Sequence, residues 1–178
     1  MFKIINLIVK SGILSDTAPL ADETLRVTTQ QIQAQILASF GRALVIRHVD
    51  AGSCNGCELE IHALNNAYYN IEGLGIKFAA SPRHADLLLV TGPVSKHMEV
   101  ALKRTYDATP EPKWVVAVGD CGCDGGIFGE SYASCGKVAN VIPVDVAVPG
   151  CPPTPTALLR GILTAITSPQ AATVVTPS

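Results

Sequence analysis

Apolar residues fall along this chain in two kinds of run. Short unbroken runs, ALVIRHV at 43–49, DLLLVTG at 86–92 and WVVAVG at 114–119, are bounded by Gly, Pro or Asp. Runs of that length and continuity predict strands covered on both faces, as in a parallel sheet. Weaker signals predict a strand at 75–80 and a short one inside VIPVDVAVPG at 141–150. Between them the spacing turns helical, predicting helices over 57–69, 96–107 and 154–166. The last is well signalled: Thr154 is a good cap, Pro155 suits the first helical position, and Leu158, Leu159, Ile162, Leu163 and Ile166 make one apolar stripe. Strands alternating with helices predict an α/β fold with a parallel, helix-covered sheet.

Ahead of this alternation lies a differently patterned section. Leu25, Ile32, Ile36 and Phe40 share one face of a helix expected over 22–40, which Gly41 ends. A turn-like linker is expected at 15–21, and a small, polar tail after Ser168. The expected division is an N-terminal arm over 1–42, an α/β domain over 43–168 and a tail over 169–178. The opening MFKIINLIVKSGILSD has a short apolar run between Lys3 and Lys10. Lys10 cuts that run short for a signal peptide, no twin arginine precedes it, and export is not expected. It reads instead as an amphipathic or docking segment on a membrane or a membrane subunit.

Composition sharpens the picture in two ways. The formal net charge is -2, which offers no case for a nucleic-acid partner. Charged residues make up only 16% of the chain and the mean hydropathy is +0.32. A soluble domain carries about 25% charged residues, so the deficit predicts a subunit whose surface is partly covered in an assembly.

The six cysteines carry the chemistry. In a chain without an export signal they point to metal or redox work, not to a disulfide framework. Cys54 and Cys57 follow the first strand at C-x-x-C spacing, Cys121 follows the strand at 114–119, and Cys151 follows the last strand. In a parallel sheet all these strand ends lie along one edge, so four thiolates from three loops would converge on one soft-ligand site, suited to a 4Fe–4S cluster or to zinc. Gly56, Gly122, Gly125, Gly126 and Gly150 stand beside the cysteines and favour a bulky cluster, which needs close backbone approach. A dithiol redox motif would leave Cys121 and Cys151 unexplained. Cys123 and Cys135 read as ordinary small residues, Cys123 the nearer to the site. Cys57, Ile61, Leu64 and Tyr68 share a face of the following helix. Glu60 lies near enough to that face to reach the site, whereas Glu58 reads as an ordinary first-turn carboxylate. His62 and His97 read as solvated, and no nucleotide-binding motif is present.

With those residues in place, a family resemblance is close. C-N-G-C-E-L-E-I at 54–61, S-P-R-H-A-D-L-L-L-V-T-G-P-V at 81–94, P-K-W-V-V-A-V-G-D-C-G-C-D-G-G-I-F at 112–128 and I-P-V-D-V-A-V-P-G-C-P-P-T-P at 142–155 resemble the small subunit of membrane-bound, energy-converting nickel–iron hydrogenases. That group includes the formate hydrogenlyase and hydrogenase-4 type, and is similar in turn to the 20 kDa subunit of NADH:quinone oxidoreductase. The resemblance spans about 44–166. It implies a flavodoxin-like fold carrying one 4Fe–4S cluster on Cys54, Cys57, Cys121 and Cys151. The implied role is electron transfer between a ferredoxin-like iron–sulfur subunit and a large subunit with the nickel–iron centre or its quinone-site counterpart. Association with membrane subunits at the cytoplasmic face of the cell membrane is implied as well. The quinone branch has adjacent cysteines in the first motif; the two-residue gap here is the hydrogenase form. Cys123 departs from the pattern, just after the expected ligand. Arg83 and His84 fall in a motif that the resemblance places near the subunit contact and the cluster.

Overall fold

In the computed structural model residues 2–11 and 22–168 are described; the linker expected at 15–21 and the tail expected at 169–178 lie outside them. Five strands, β1 (Leu44–Asp50), β2 (Ile76–Phe78), β3 (Leu87–Thr91), β4 (Trp114–Val118) and β5 (Val146–Val148), form one sheet in the order β2-β1-β3-β4-β5. Every pair is parallel. This is the flavodoxin-like order, in which the chain leaves β1 in one direction and returns on its other side at β3. The α/β class and the parallel, helix-covered sheet read from the sequence are what the structure shows. The helices are α1 (Phe2–Ser11), α2 (Glu23–Phe40), α3 (Gly56–Ala63), α4 (Lys96–Ala108), α5 (Gly119–Asp124) and α6 (Pro155–Thr167).

Side chains of β3 and β4 are buried along their whole length, and their alternation divides the core in two. Leu44, Ile46, Leu87, Leu89, Val116 and Val118 face one side, where α2, α3 and α6 contribute Ile32, Ile36, Ile61, Leu64, Leu158 and Ile162. Leu88, Val90, Val115 and Ala117 face the other, against Leu102 of α4 and Val138 and Ile142 of the following segment. Register is thereby specified from both faces, since a one-residue slip would exchange the two sets. The predicted helix ends are realised by specific bonds. Asp22 caps α2 by accepting from the N–H of Thr24 and Leu25, and Gly41 closes it at φ 59°. Thr154 accepts from the N–H of Ala157 at the start of α6, with Pro155 next.

Three elements differ from the sequence expectation. The helix expected over 57–69 stops at Ala63, because the Asn66 side chain accepts from the N–H of Tyr68 and Tyr69 and turns the chain away. Tyr68 is consequently 57% exposed instead of joining Ile61 and Leu64 inside. The strand expected over 75–80 pairs only over Ile76–Phe78. The glycine-rich stretch after β4 is not a loop at first but a short helical turn, α5.

The contact between α6 and β5 is set by a missing side chain: a β-carbon at Gly161 would collide with Cγ2 of Val148. Gly161→Ala is therefore expected to lower unfolding stability by roughly 1–3 kcal/mol through overpacking. Adding Val148→Ala should recover part of that loss. Chemical denaturation of the two variants and the double variant measures the coupling.

Candidate metal centre

The three cysteine-bearing loops meet where the sheet's parallel strands end. Cys54 and Cys57 come from the turn between β1 and α3, Cys121 from α5 directly after β4, and Cys151 from the turn between β5 and α6. All four thiols line one cavity of about 130 Å³, together with Gly119, Asp120 and Gly150. Cys54 and Cys151 are exposed, while Cys57 and Cys121 are half-buried. The structure thus brings together the four cysteines singled out in the sequence.

The cysteines left aside go elsewhere. Cys121 and Cys123 are two residues apart on one helical turn, so their side chains diverge by roughly 200° and cannot share a site. Cys123 does not line the cavity; its thiol donates to the carbonyl of Ala117, 3.6 Å away, and burial pushes its pKa up to about 11. Cys135 is buried on the opposite face of the sheet, its thiol 3.4 Å from a carboxylate oxygen of Glu99.

Glycine keeps the space around the sulfurs open. A β-carbon at Gly119, whose φ is +81°, would stand 2.7 Å from Sγ of Cys57; one at Gly126, φ +53°, would stand 2.9 Å from Sγ of Cys121. Both conformations are costly for any other residue. Only glycine fits beside these two thiols. The donor set is also right for a soft metal group: four sulfurs, with Asp120 the one carboxylate among the lining residues, and it is engaged otherwise. Its carboxylate accepts from the N–H of Gly150 at 2.7 Å, and its own N–H donates to the Gly150 carbonyl at 3.0 Å. Those two bonds tie the Cys121 turn to the Cys151 turn.

The electrostatics are those of thiols crowded together. Burial, then Glu58 and the other three thiols, push the Cys57 pKa up to about 12. Burial, then Cys151, Cys54 and Asp120, raise that of Cys121. Holding all four as thiolates therefore requires positive charge among them, which a bound metal group provides. Among the described residues no group of three or more His, Cys, Asp or Glu is placed to hold a single metal ion. The four cysteines line their cavity together with Gly56, Gly92, Gly119 and Gly150, and a four-sulfur donor set with close backbone approach is one that suits an iron–sulfur cluster.

The glutamate tied to the ligand turn is Glu58, which the sequence reads as an ordinary first-turn carboxylate. Glu58 is 7% exposed and accepts from Oγ of Ser53, which in turn accepts from the N–H of Asn55; Glu60 is only half-buried and is not among the cavity's lining residues. Asp50 adds bonds from the N–H of Gly52 and Ser53. The Cys54 turn is thus held by its own side chains. Ser53 standing five residues before a Glu was the available signal, once the helix start at Gly56 was known. His48, also unremarked in the sequence, lies 3.6 Å from Glu58 and 3.1 Å from Oγ1 of Thr91. Burial holds its imidazole below the usual range against the pull of Glu58 and Asp50. Arg83 and His84 line a separate cleft beside β2 and not the cysteine cavity. His62 and His97 are exposed, as expected.

Residues 54–165 match the family model of the NADH ubiquinone oxidoreductase 20 Kd subunit. The chain belongs to that family. Relatives within it come from two kinds of oxidoreductase complex. The chain is 47% identical over 133 residues to a probable membrane-bound hydrogenase subunit, mbhJ, of Pyrococcus furiosus, covering 75% of this chain and 80% of that protein. It is 41% identical over 143 residues to formate hydrogenlyase subunit 7 of Escherichia coli, covering 80% of this chain and 56% of that protein. It is also 47% identical over 128 residues to an NADH-quinone oxidoreductase subunit of Desulfovibrio desulfuricans, covering 71% of this chain and 68% of that protein. Among solved structures, a chain of the membrane-bound sulfane sulfur reductase, an archaeal respiratory membrane complex, superposes with a TM-score of 0.62 at 34% identity, covering 76% of this chain and 73% of that one. The resemblance read from the four sequence motifs is therefore what the comparisons show, and this chain is an oxidoreductase-family subunit. Among its described residues no helix is long and apolar enough to cross a membrane.

Asp120 gives the site its most direct mechanical test. Asp120→Ala is expected to lower unfolding stability by about 1–3 kcal/mol, because it leaves the Gly150 N–H without its acceptor. Asp120→Asn keeps an acceptor oxygen and should lose less. Thermal or denaturant unfolding of the metal-free chains measures the difference.

Proposed function

We propose that the chain is the electron-transfer subunit of a membrane-associated, hydrogenase-type complex and holds one 4Fe–4S cluster on Cys54, Cys57, Cys121 and Cys151. The observation that carries this reading is the convergence of four thiols from three separate loops on one glycine-walled cavity. A bound cluster supplies a one-electron site, accepting from a ferredoxin-like subunit and donating to the active centre of a large subunit, or the reverse. The chain's own residues do the rest. The four cysteines ligate, Gly119 and Gly126 leave room at the sulfurs, and Asp120, Ser53 and Glu58 hold the ligand turns in place. No acid, base or substrate pocket of its own is needed for that role.

Several features support placement in a complex. Cys54 and Cys151 are exposed, so a partner surface has to complete the shelter around them. Leu59, Ile127 and Phe128, close in sequence to Cys57 and Cys121, are exposed apolar side chains of the kind that interfaces bury. Relatives from membrane-bound complexes support a peripheral position at a membrane; the cytoplasmic face is part of the proposal. Identity does not separate the hydrogenase branch from the quinone branch, at 47% to a member of each. The C-x-x-C spacing of Cys54 and Cys57 favours the hydrogenase form.

Iron and acid-labile sulfide analysis of the anaerobically purified chain, with EPR after reduction, tests the reading. Four irons, four sulfides and a reduced-cluster signal are expected; a colourless protein with one zinc would overturn it. Cys151→Ser and Gly119→Ala should each lose most of the iron, whereas Cys135→Ser and Cys123→Ser should keep it. Equal loss in all four variants would refute the ligand assignment.

A further inference from the structure

A second feature, apart from the thiols, lies where β2 falls short. The ladder between β1 and β2 ends at Ile46 and Phe78, but β1 runs on to Asp50 and keeps pairing with β3 as far as Thr91. From Arg47 onward β1 therefore has a strand neighbour on one side only. On the open side lies a cavity of about 340 Å³ between β1, α3 and the chain leaving β2. A second cleft of about 620 Å³ adjoins it through Phe78 and Ala79.

The walls of this groove are basic, although the chain as a whole carries a net charge of -2. Arg47 and His62 line the first part, and Lys77, Arg83 and His84 the second. The two carboxylates that line it are buried, and Asp86 is bound by the guanidinium of Arg42 and the N–H of Val45. Among the described residues none of Arg47, Lys77 and Arg83 pairs with a carboxylate.

Nε of Arg47, a residue that lines the first cavity, is a buried donor with no hydrogen-bond partner in this chain, whereas Oε1 of Glu58 faces Nε2 of His48 at 3.6 Å. Leaving the arginine unmet is costly. Whatever fills the cavity has to offer Arg47 acceptors. A polypeptide brings them through its C=O groups and side chains and, unlike a bare anion, can also run along a strand edge that lacks a neighbour. The surplus of cations selects one with carboxylates.

We propose that this groove seats a carboxylate-bearing polypeptide segment of a partner subunit, lying beside the open edge of β1 with an acidic side chain on Arg47. This inference rests on the reading of the chain as a subunit of a complex and adds where, and by what chemistry, one partner grips it.

Carbodiimide coupling, which joins a lysine amine to a carboxylate in contact with it, tests the proposal on the assembled complex purified from its membrane. Mass spectrometry should find Lys77 joined to an Asp or Glu of another subunit. Lys77→Arg, which keeps the charge but lacks the amine, should abolish that product without loss of assembly. Arg47→Glu should reduce recovery of the assembled complex by about tenfold or more at moderate salt, with the iron content of the chain unchanged. If Arg47→Glu does not fold, the Lys77 coupling still decides. Acetylation of Lys77 as fast in the complex as in the isolated chain would overturn the proposal. So would protection of Lys77 without any cross-link and lost on delipidation, which would assign the groove to an anionic lipid. A chain recovered iron-loaded and in complex with Lys77 open would sink the groove alone; a chain recovered with no other subunit would sink the underlying reading as well.

Discussion

Everything in this molecule depends on the strands running the same way. In a parallel sheet each strand delivers its following loop to one edge, so loops far apart in the chain become neighbours whenever their strands do. Cys54, Cys121 and Cys151 meet for this reason. Were β4 or β5 reversed, its cysteine would lie at the far edge of the sheet and the site would not exist. The parallel ladder is in turn secured by burial, since the fully covered residues of β3 and β4 divide their side chains between two apolar layers. A one-residue slip would exchange the side chains of the two layers and spoil the packing of both at once.

That edge is built but not finished. The inner thiols, Cys57 and Cys121, are pushed toward their neutral forms by burial and by their neighbours, while Cys54 and Cys151 stay open to solvent. A metal group would relieve the first condition by bringing positive charge, and a covering surface would relieve the second by excluding water. The groove beside β1 has the same character on the polar side: a donor, Nε of Arg47, is buried there without a partner. Both features, with the low content of charged residues, describe a chain whose surface is completed by others.

Much of this was legible in the residues. Unbroken apolar runs marked β1, β3 and β4, because strands covered on both faces have no polar side to show. Cap chemistry at Gly41 and at Thr154 with Pro155 placed two helix ends, because the unpaired groups at a helix terminus have few ways of being met. The spacing of Cys54, Cys57, Cys121 and Cys151 relative to the strand ends was enough to place the four thiols together, and the family motifs agreed. So the sequence by itself determined the class of fold, the direction of its strands and the cysteines that would meet.

What it did not determine were matters of side-chain direction and local competition. The extent of the first helix depended on Asn66 capturing two backbone N–H groups, a bond that helical periodicity does not register. The way Cys123 is turned from the cavity, toward the Ala117 carbonyl, depended on a helical turn hidden in a glycine-rich stretch. Which of Glu58 and Glu60 is buried depended on where that first helix begins and on Ser53 lying across from it. The early end of β2, which opens the basic groove, depended on its packing against β1. Each is decided by contacts between segments, and only the tertiary structure brings those segments together.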